Sequence, residues 1–188
     1  LSQQSFIEKT SILCTPIPSF DPWFYNFFVA LVSGGTLHLT PNDARYSPLA
    51  IQQIIDKEKI QFAALLPNII ANLTLERPMH IISIGANANR TVMQRLHEKG
   101  FRIENGYGPT EAGIELTRAK FDPDLPHTLI GSPLPGSNMR VWVLNSATLQ
   151  PCPVGVPGEI YAEGPGLALE YVDQPDLTKE RFLILILK

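Results

Sequence analysis

Cysteine is nearly absent. Cys14 and Cys152 are the two thiols in 188 residues, far apart and without metal-ligand spacing. A disulfide-dense scaffold and a zinc framework are therefore excluded, and the thiols read as buried or incidental in a reducing compartment. His38, His80, His97 and His127 likewise share no ligand spacing. No Lys/Arg cluster breaks the balance of 15 basic and 18 acidic residues. A net charge of −3 with a pI near 5.8 offers no phosphate-neutralising face for nucleic acid. No apolar run is long enough to span a bilayer, and no internal repeat is visible. The opening Leu1-Ser2-Gln3-Gln4 lacks the basic stretch and apolar core of a secretory leader. A soluble, cytoplasmic protein is the expectation, and the missing initiator Met points to part of something longer. Charged residues make up only 18% against 44% hydrophobic, a globular rather than disordered composition, long enough for one domain with a real core or two small lobes.

What is present is concentrated in Asn105-Gly106-Tyr107-Gly108-Pro109-Thr110-Glu111, directly after the strand-like run Phe101 to Glu104. Gly106 and Gly108 let the backbone approach a ligand without an intervening Cβ, and Pro109 fixes one dihedral and removes one N–H. Thr110 offers a hydroxyl to cap a following helix or to reach a phosphate oxygen. Glu111 is a hard oxygen ligand of the kind Mg2+ prefers, and Tyr107 presents a flat face for a stacked base. A plain Gly-Pro turn would explain any one of these residues; their order as a whole raises a nucleotide site, which the rest of the chain must support.

Residues 11–18 read as a short buried strand stopped by prolines. Ser19 or Asp21 caps a helix with Pro22 at its first position. The segment Trp23 to Val32 is apolar nearly all round, which predicts a buried helix with Trp23, Phe24, Phe27 and Phe28 in the core. Gly34-Gly35 ends it. Thr36 to Thr40 is a predicted strand, and Ser47-Pro48 opens a helix carrying Leu49, Ile51, Ile54 and Ile55. Gln61 to Leu66 reads as a strand, Pro67 to Leu73 as a short helix, and His80 to Ile84 as a strand. Thr91 to Lys99 is a helix stopped by Gly100. The alternation predicts an α/β fold, a mostly parallel sheet flanked by helices, in which ligands bind beyond the strand carboxyl ends. Asp21, Leu66-Pro67, Ile84-Gly85-Ala86 and residues 105–111 all fall there.

From about Asp122 the texture changes to short strands, Met139 to Leu144 and Glu159 to Glu163, among Pro/Gly clusters, predicting a small antiparallel β lobe. The expected division is an α/β subdomain over residues 1–121 and a β-rich subdomain over 122–188. The apolar run at residues 181–188 reads as a buried strand or an aggregation-prone end.

These residues resemble the adenylate-forming enzymes, and within them the amino-acid-activating adenylation domains of nonribosomal peptide synthetases. Residues 105–111 (NGYGPTE) are similar to that family's adenine and Mg2+ loop. Phe20-Asp21, the helix behind them and residues 30–36 (ALVSGGT) resemble its substrate-amine segment. Ile130-Gly131-Ser132-Pro133, residues 153–160, Gly164-Pro165-Gly166, Tyr171 and residues 177–182 resemble its barrel region. The resemblance implies part of the large N-terminal lobe of that fold, ATP and Mg2+ as cofactors, an amino acid as substrate, and phosphopantetheine on a peptidyl carrier protein as acceptor. By the same resemblance Asn105 bonds the adenine amino group, Tyr107 stacks on the ring, Thr110 touches the α-phosphate and Glu111 coordinates Mg2+. Gly85, Ala86 and Asn87 form the opposite wall of the adenine slot, and Asp21 pairs with the substrate α-ammonium, a desolvated cation that needs a charge-matched acceptor. The reaction implied is attack of a carboxylate on the α-phosphorus of ATP, giving aminoacyl-AMP and pyrophosphate, with metal and positioning doing most of the work.

The resemblance gives the side-chain pocket as Pro22, Tyr25, Ala64, Ile82, Ile84, Gly106, Ile114 and Glu115, an apolar funnel with one acid. An ionised carboxylate there is costly unless paired. One reading is a substrate with a basic or hydrogen-bonding side chain; the other is that Glu115 swings to solvent or is paired within the protein. The family's phosphate loop, its Tyr-Arg-Thr-Gly-Asp block and its lysine-bearing C-terminal lobe are absent, and Glu170 stands where Gly is usual. The chain is expected not to adenylate alone. Alternatives are an acyl- or aryl-CoA synthetase fragment, for which Asp21 would have no use, and a non-catalytic remnant or scaffold.

Overall fold

The structure is a computed structural model that describes residues 9–184. The first four residues and the end of the apolar run, 185–188, lie outside the described residues. Five strands, β1 (Ser11–Cys14), β2 (Thr36–Leu39), β3 (Phe62–Leu65), β4 (His80–Ser83) and β5 (Arg102–Tyr107), pair parallel. Two antiparallel strands, β6 (Thr117–Lys120) and β7 (Ser132–Pro133), extend the sheet to seven in the order β2-β1-β3-β4-β5-β6-β7. Helices α1 (Pro22–Ser33), α2 (Pro48–Lys57), α3 (Pro67–Ala71) and α4 (Arg90–Glu98) connect the parallel strands. A separate antiparallel pair follows, β8 (Arg140–Leu144) with β9 (Glu159–Glu163), and then α5 (Pro175–Arg181).

Local chemistry explains the helix starts. Ser47 Oγ accepts from Ala50 N at 3.3 Å, and Asn89 Oδ1 from Val92 N at 3.2 Å, each satisfying an N–H the helix leaves orphaned. The central strands are buried on both faces, as parallel strands between helices must be. Leu13, Ala63, Leu65, Ile81 and Ile103 pack with Ile51 and Ile55 of α2, Ile69 and Ile70 of α3, and Met93 and Leu96 of α4. On the opposite face Ile12, Phe62, Ala64 and Ile82 pack with Val29 and Ala30 of α1.

Three expectations are corrected. Helix α1 is not buried all round: its buried residues are Asn26, Val29, Ala30 and Ser33, whereas Phe24, Phe28 and Leu31 are 46%, 56% and 59% exposed. It lays one side on β1 and β3, and its other aromatics meet one another, Trp23 stacking on Phe27 at 5.1 Å, rather than a core. Strand β5 does not stop at Glu104. It runs through Asn105, Gly106 and Tyr107, whose backbones pair with Ala119, Arg118 and Thr117 of β6. The first predicted strand ends at Cys14, four residues before Pro18. Strands β6 and β7 and helix α5, which has no fully buried residue, have no counterpart in the sequence expectations, and β7 carries the large sheet past residue 121.

Candidate nucleotide and substrate site

Register aligns the strand ends. Leu65 pairs with Ser83 and Ser83 with Asn105, so Leu66 and Ile84-Gly85 leave the sheet at the level of Asn105, where β5 goes on with β6 alone. A Cβ on Gly85 would lie 3.0 Å from Leu66 Cδ2. Beyond these strand ends opens a cavity of about 290 Å3, lined by residues 85–88 on one side and 105–109 on the other, with Thr128 and Ile130. The predicted adenine residues Gly85, Ala86, Asn87, Asn105, Gly106 and Tyr107 thus come together. Asn105 is buried, and its Nδ2 donates to the Leu129 carbonyl at 2.9 Å. That bond fixes the amide and leaves Oδ1 as its acceptor. Tyr107 rests against Ala112, Leu116 and Met139.

The motif then doubles back. A Cβ at Gly108 would sit 2.4 Å from Ile114 O and 2.6 Å from Leu116 N, while Leu116 N donates to Tyr107 O at 2.8 Å. Ile114 holds a left-handed φ of 77°, costly for a β-branched residue and kept only where the surroundings impose it. Thr110 and Glu111 are not among the residues lining the cavity. Thr110 opens a single 3-10 turn, Thr110–Ala112, and its exposed hydroxyl caps nothing, the cap position falling on Pro109. Glu111 is fixed from the other side: its Oε1 accepts from the Tyr171 hydroxyl, and its carbonyl accepts from Ala168 N at 2.8 Å. The Tyr171 bond, with the backbone N–H of Glu111 itself, holds this carboxyl below the usual carboxylate range.

Alternation along β5 sends Asn105 and Tyr107 to one face and Glu104 and Gly106 to the other. On that second face a Cβ at Gly106 would stand 2.8 Å from Glu115 Oε1, 3.0 Å from Ile82 Cγ2 and 3.2 Å from Ile84 Cδ1. Tyr25, one turn into α1, packs in the same cluster as Ala64, Ile82 and Ile84. Six of the eight predicted pocket residues are therefore gathered: Tyr25, Ala64, Ile82, Ile84, Gly106 and Glu115. Pro22 stands at the first turn of α1 and Ile114 in the left-handed turn. Asp21 heads α1 with no side-chain cap bond, and among the described residues it forms no ion pair.

Glu115 is buried and paired. Arg118 Nε donates to its Oε1 at 2.7 Å and Nη2 to its Oε2 at 2.5 Å, so of the two readings of Glu115 the internal pairing stands. The same Nη2 donates to Tyr25 Oη at 2.8 Å, and Nη1 lies 3.4 Å from Glu104 Oε2. Glu104 is gripped further by His80 Nε2 at 2.7 Å and Arg102 Nη2 at 2.9 Å. Burial pushes the Glu104 carboxyl up, but the His80 and Arg102 bonds outweigh it and hold the group at about 2. Burial likewise drives the Tyr25 phenol up, with the Glu115 charge adding to it. Burial pulls the Arg118 guanidinium down, and its bonds to Glu115 more than reverse that. Sequence reasoning passes over Arg118 and Glu104. The available signals are an opposite charge three residues after Glu115 and an acid inside an otherwise strand-like run. Among the described residues no group of three or more His, Cys, Asp or Glu could hold a metal ion.

Residues 2–172 match the AMP-binding enzyme family. The chain is 35% identical over 172 residues to chondramide synthase of Chondromyces crocatus, covering 88% of this chain and 4% of that protein. It is 33% identical over 167 residues to a nonribosomal peptide synthetase of Aspergillus fumigatus, covering 87% of this chain and 8% of that one. The fold superposes on a nonribosomal peptide synthetase, FmoA3, solved in an AMPPNP-bound form, with a TM-score of 0.84 at 22% identity over 94% of this chain and 21% of that one. The chain thus spans less than a tenth of these curated relatives and belongs to the AMP-binding enzyme family, among relatives that are nonribosomal peptide synthetases.

Proposed function

We propose that this chain supplies the adenine, metal-side and substrate contacts of an amino-acid-activating adenylation site, which forms aminoacyl-AMP and pyrophosphate and passes the aminoacyl group to a carrier-protein thiol. The observation that carries this reading is the buried Asn105. With Nδ2 held on Leu129 O at 2.9 Å, its Oδ1 is an acceptor on the wall of a cavity of about 290 Å3, matched to the exocyclic amine of adenine. Gly85, Ala86 and Asn87 form the facing wall, and Tyr107 offers its ring to the base. Asp21, with no internal ion pair, receives the substrate ammonium, which favours an amino acid over an acid lacking an amine.

Glu111 fits Mg2+ as a single carboxylate ligand. It is kept ionised by Tyr171, it is part-exposed, and Mg2+ commonly takes one or two carboxylates beside water and phosphate oxygens. When bound, the ion neutralises phosphate charge as it develops. Thr110, exposed at the start of its turn, is free to reach the α-phosphate. The chain's own part is positioning, holding base, ammonium and metal side in one frame. The family's Pro-Lys-Gly phosphate loop, ribose Asp and C-terminal lysine are absent from these 188 residues, so the chain by itself binds without turning over.

ATP–pyrophosphate exchange by the full-length protein carrying this chain tests the reading. Exchange driven by an α-amino acid and lost in Asp21→Ala and Asn105→Ala supports it. Exchange driven only by acids lacking an amine, or turnover by the 188-residue chain alone, overturns it.

A further inference from the structure

We propose that Arg118 determines specificity in the substrate pocket: by engaging Glu115 and Glu104 it closes the pocket to charged side chains and sets an uncharged amino acid as the substrate class. This rests on the amino-acid adenylation reading above. Arg118 is a positioning residue, because it acts through Glu115 and Tyr25, which form the wall.

Glu115 is the one acid in a wall made otherwise of Ala64, Ile82, Ile84, Gly106 and Tyr25. Its side chain is 2% exposed and that of Arg118 10%. Both carboxylate oxygens already carry a guanidinium N–H, at 2.7 and 2.5 Å. The space that admits this pair is the missing Cβ of Gly106, which would fall 2.8 Å from Glu115 Oε1. The charges are shared inside the protein: Arg118 between Glu115 and Glu104, and Glu104 also with Arg102 and His80.

An ammonium side chain entering this wall would find no unengaged carboxylate oxygen and would place a second cation beside Arg118. A carboxylate side chain would have to compete with Glu115 for Arg118, leaving one of the two carboxylates without a cation in a wall that is otherwise apolar. Either step leaves a buried charge uncompensated, which costs more than the new contact returns. A neutral side chain disturbs neither. Tyr25 adds one refinement. Its oxygen accepts from Arg118 Nη2 at 2.8 Å, so its own hydroxyl proton remains to donate, and the neutral class includes side chains bearing one acceptor.

Exchange assays with the full-length protein over the standard amino acids and ornithine, in wild type, Arg118→Met and Glu115→Gln/Arg118→Met, test the assignment. Wild type is expected to use uncharged amino acids. Arg118→Met releases Glu115 and should raise lysine or ornithine use relative to the native substrate by about tenfold or more, through KM rather than kcat. Adding Glu115→Gln should abolish that gain. A residue with only a structural role would lower exchange with every substrate alike, and that result overturns the proposal. So does a gain that persists in the double variant. A wild-type preference for lysine, ornithine, arginine, aspartate or glutamate overturns it without any variant. Exchange with no amino acid at all fails the underlying reading, and the proposal with it.

Discussion

Arg118 holds Glu115 by two parallel N–H···O bonds, and Glu104 and Tyr25 take up two further contacts of the same guanidinium. Removing the cation alone leaves two buried carboxylates short of a partner. Arg118→Met should therefore lower the unfolding free energy by about 3–5 kcal/mol, the usual cost of breaking a buried pair from one side. Glu115→Gln/Arg118→Met should lose clearly less than Arg118→Met. Urea titration of the three forms at neutral pH measures the coupling.

Glu104 makes the fold sensitive to acid. Its carboxyl lies at about 2 in the folded chain against an ordinary value of 4.5, so the unfolded state takes up the proton first. The stabilisation is complete above about pH 4.5 and is lost as the pH falls towards 2, amounting to roughly 3 kcal/mol in all. Unfolding free energies measured across that window should fall steeply for the native chain, and the slope should flatten in Glu104→Gln.

The glycines at 106 and 108 answer differently to a methyl group. At Gly108 the added carbon meets backbone, Ile114 O at 2.4 Å and Leu116 N at 2.6 Å, and Gly108→Ala should cost about 3 kcal/mol or more. At Gly106 it meets side-chain atoms, the closest at 2.8 Å. These can give way, and Gly106→Ala should cost about 1–2 kcal/mol. Thermal melts of the two variants give the order directly; a milder effect at Gly108 would contradict it.

Tyr171→Phe removes the hydroxyl that bonds Glu111. The Glu111 carboxyl should then titrate at higher pH, since that bond is the largest influence holding it down. Carbon-detected NMR titration of the Glu111 carboxylate reads the shift. Stability should change little, because Glu111 is part-exposed at the surface.

The strand ends at Leu65 and Ser83 were legible to within one residue because glycine and proline punctuate short apolar runs; the end of β5 at Tyr107 was not, because its last three residues stay extended only by pairing with β6. The predicted adenine residues that line the cavity were named from the family resemblance of residues 105–111, not from that punctuation. Arg118 was not legible. Its strand, Thr117–Lys120, is short and half charged, and it forms only because β5 continues through Asn105 to Tyr107 and gives it a partner. The pairing of Glu115 was left open for the same cause, since a side chain's partner across a turn depends on tertiary register. The error at α1 had another source: an apolar composition all round says that a helix can be buried, not that enough chain surrounds it to do so.

Strand β5 alternates Asn105 and Tyr107 towards one face with Glu104 and Gly106 towards the other. Under the proposed function it is a partition: the odd side chains belong to the base side, and the even positions meet Glu115, Ile82 and Ile84 on the substrate side. Substitutions at even positions would then retune which side chain is admitted while the odd positions stay as they are. A single inserted or deleted residue in the strand would exchange the two sets and disrupt both faces together. Diversification of such a chain is therefore open to point substitution and closed to length change within these six residues.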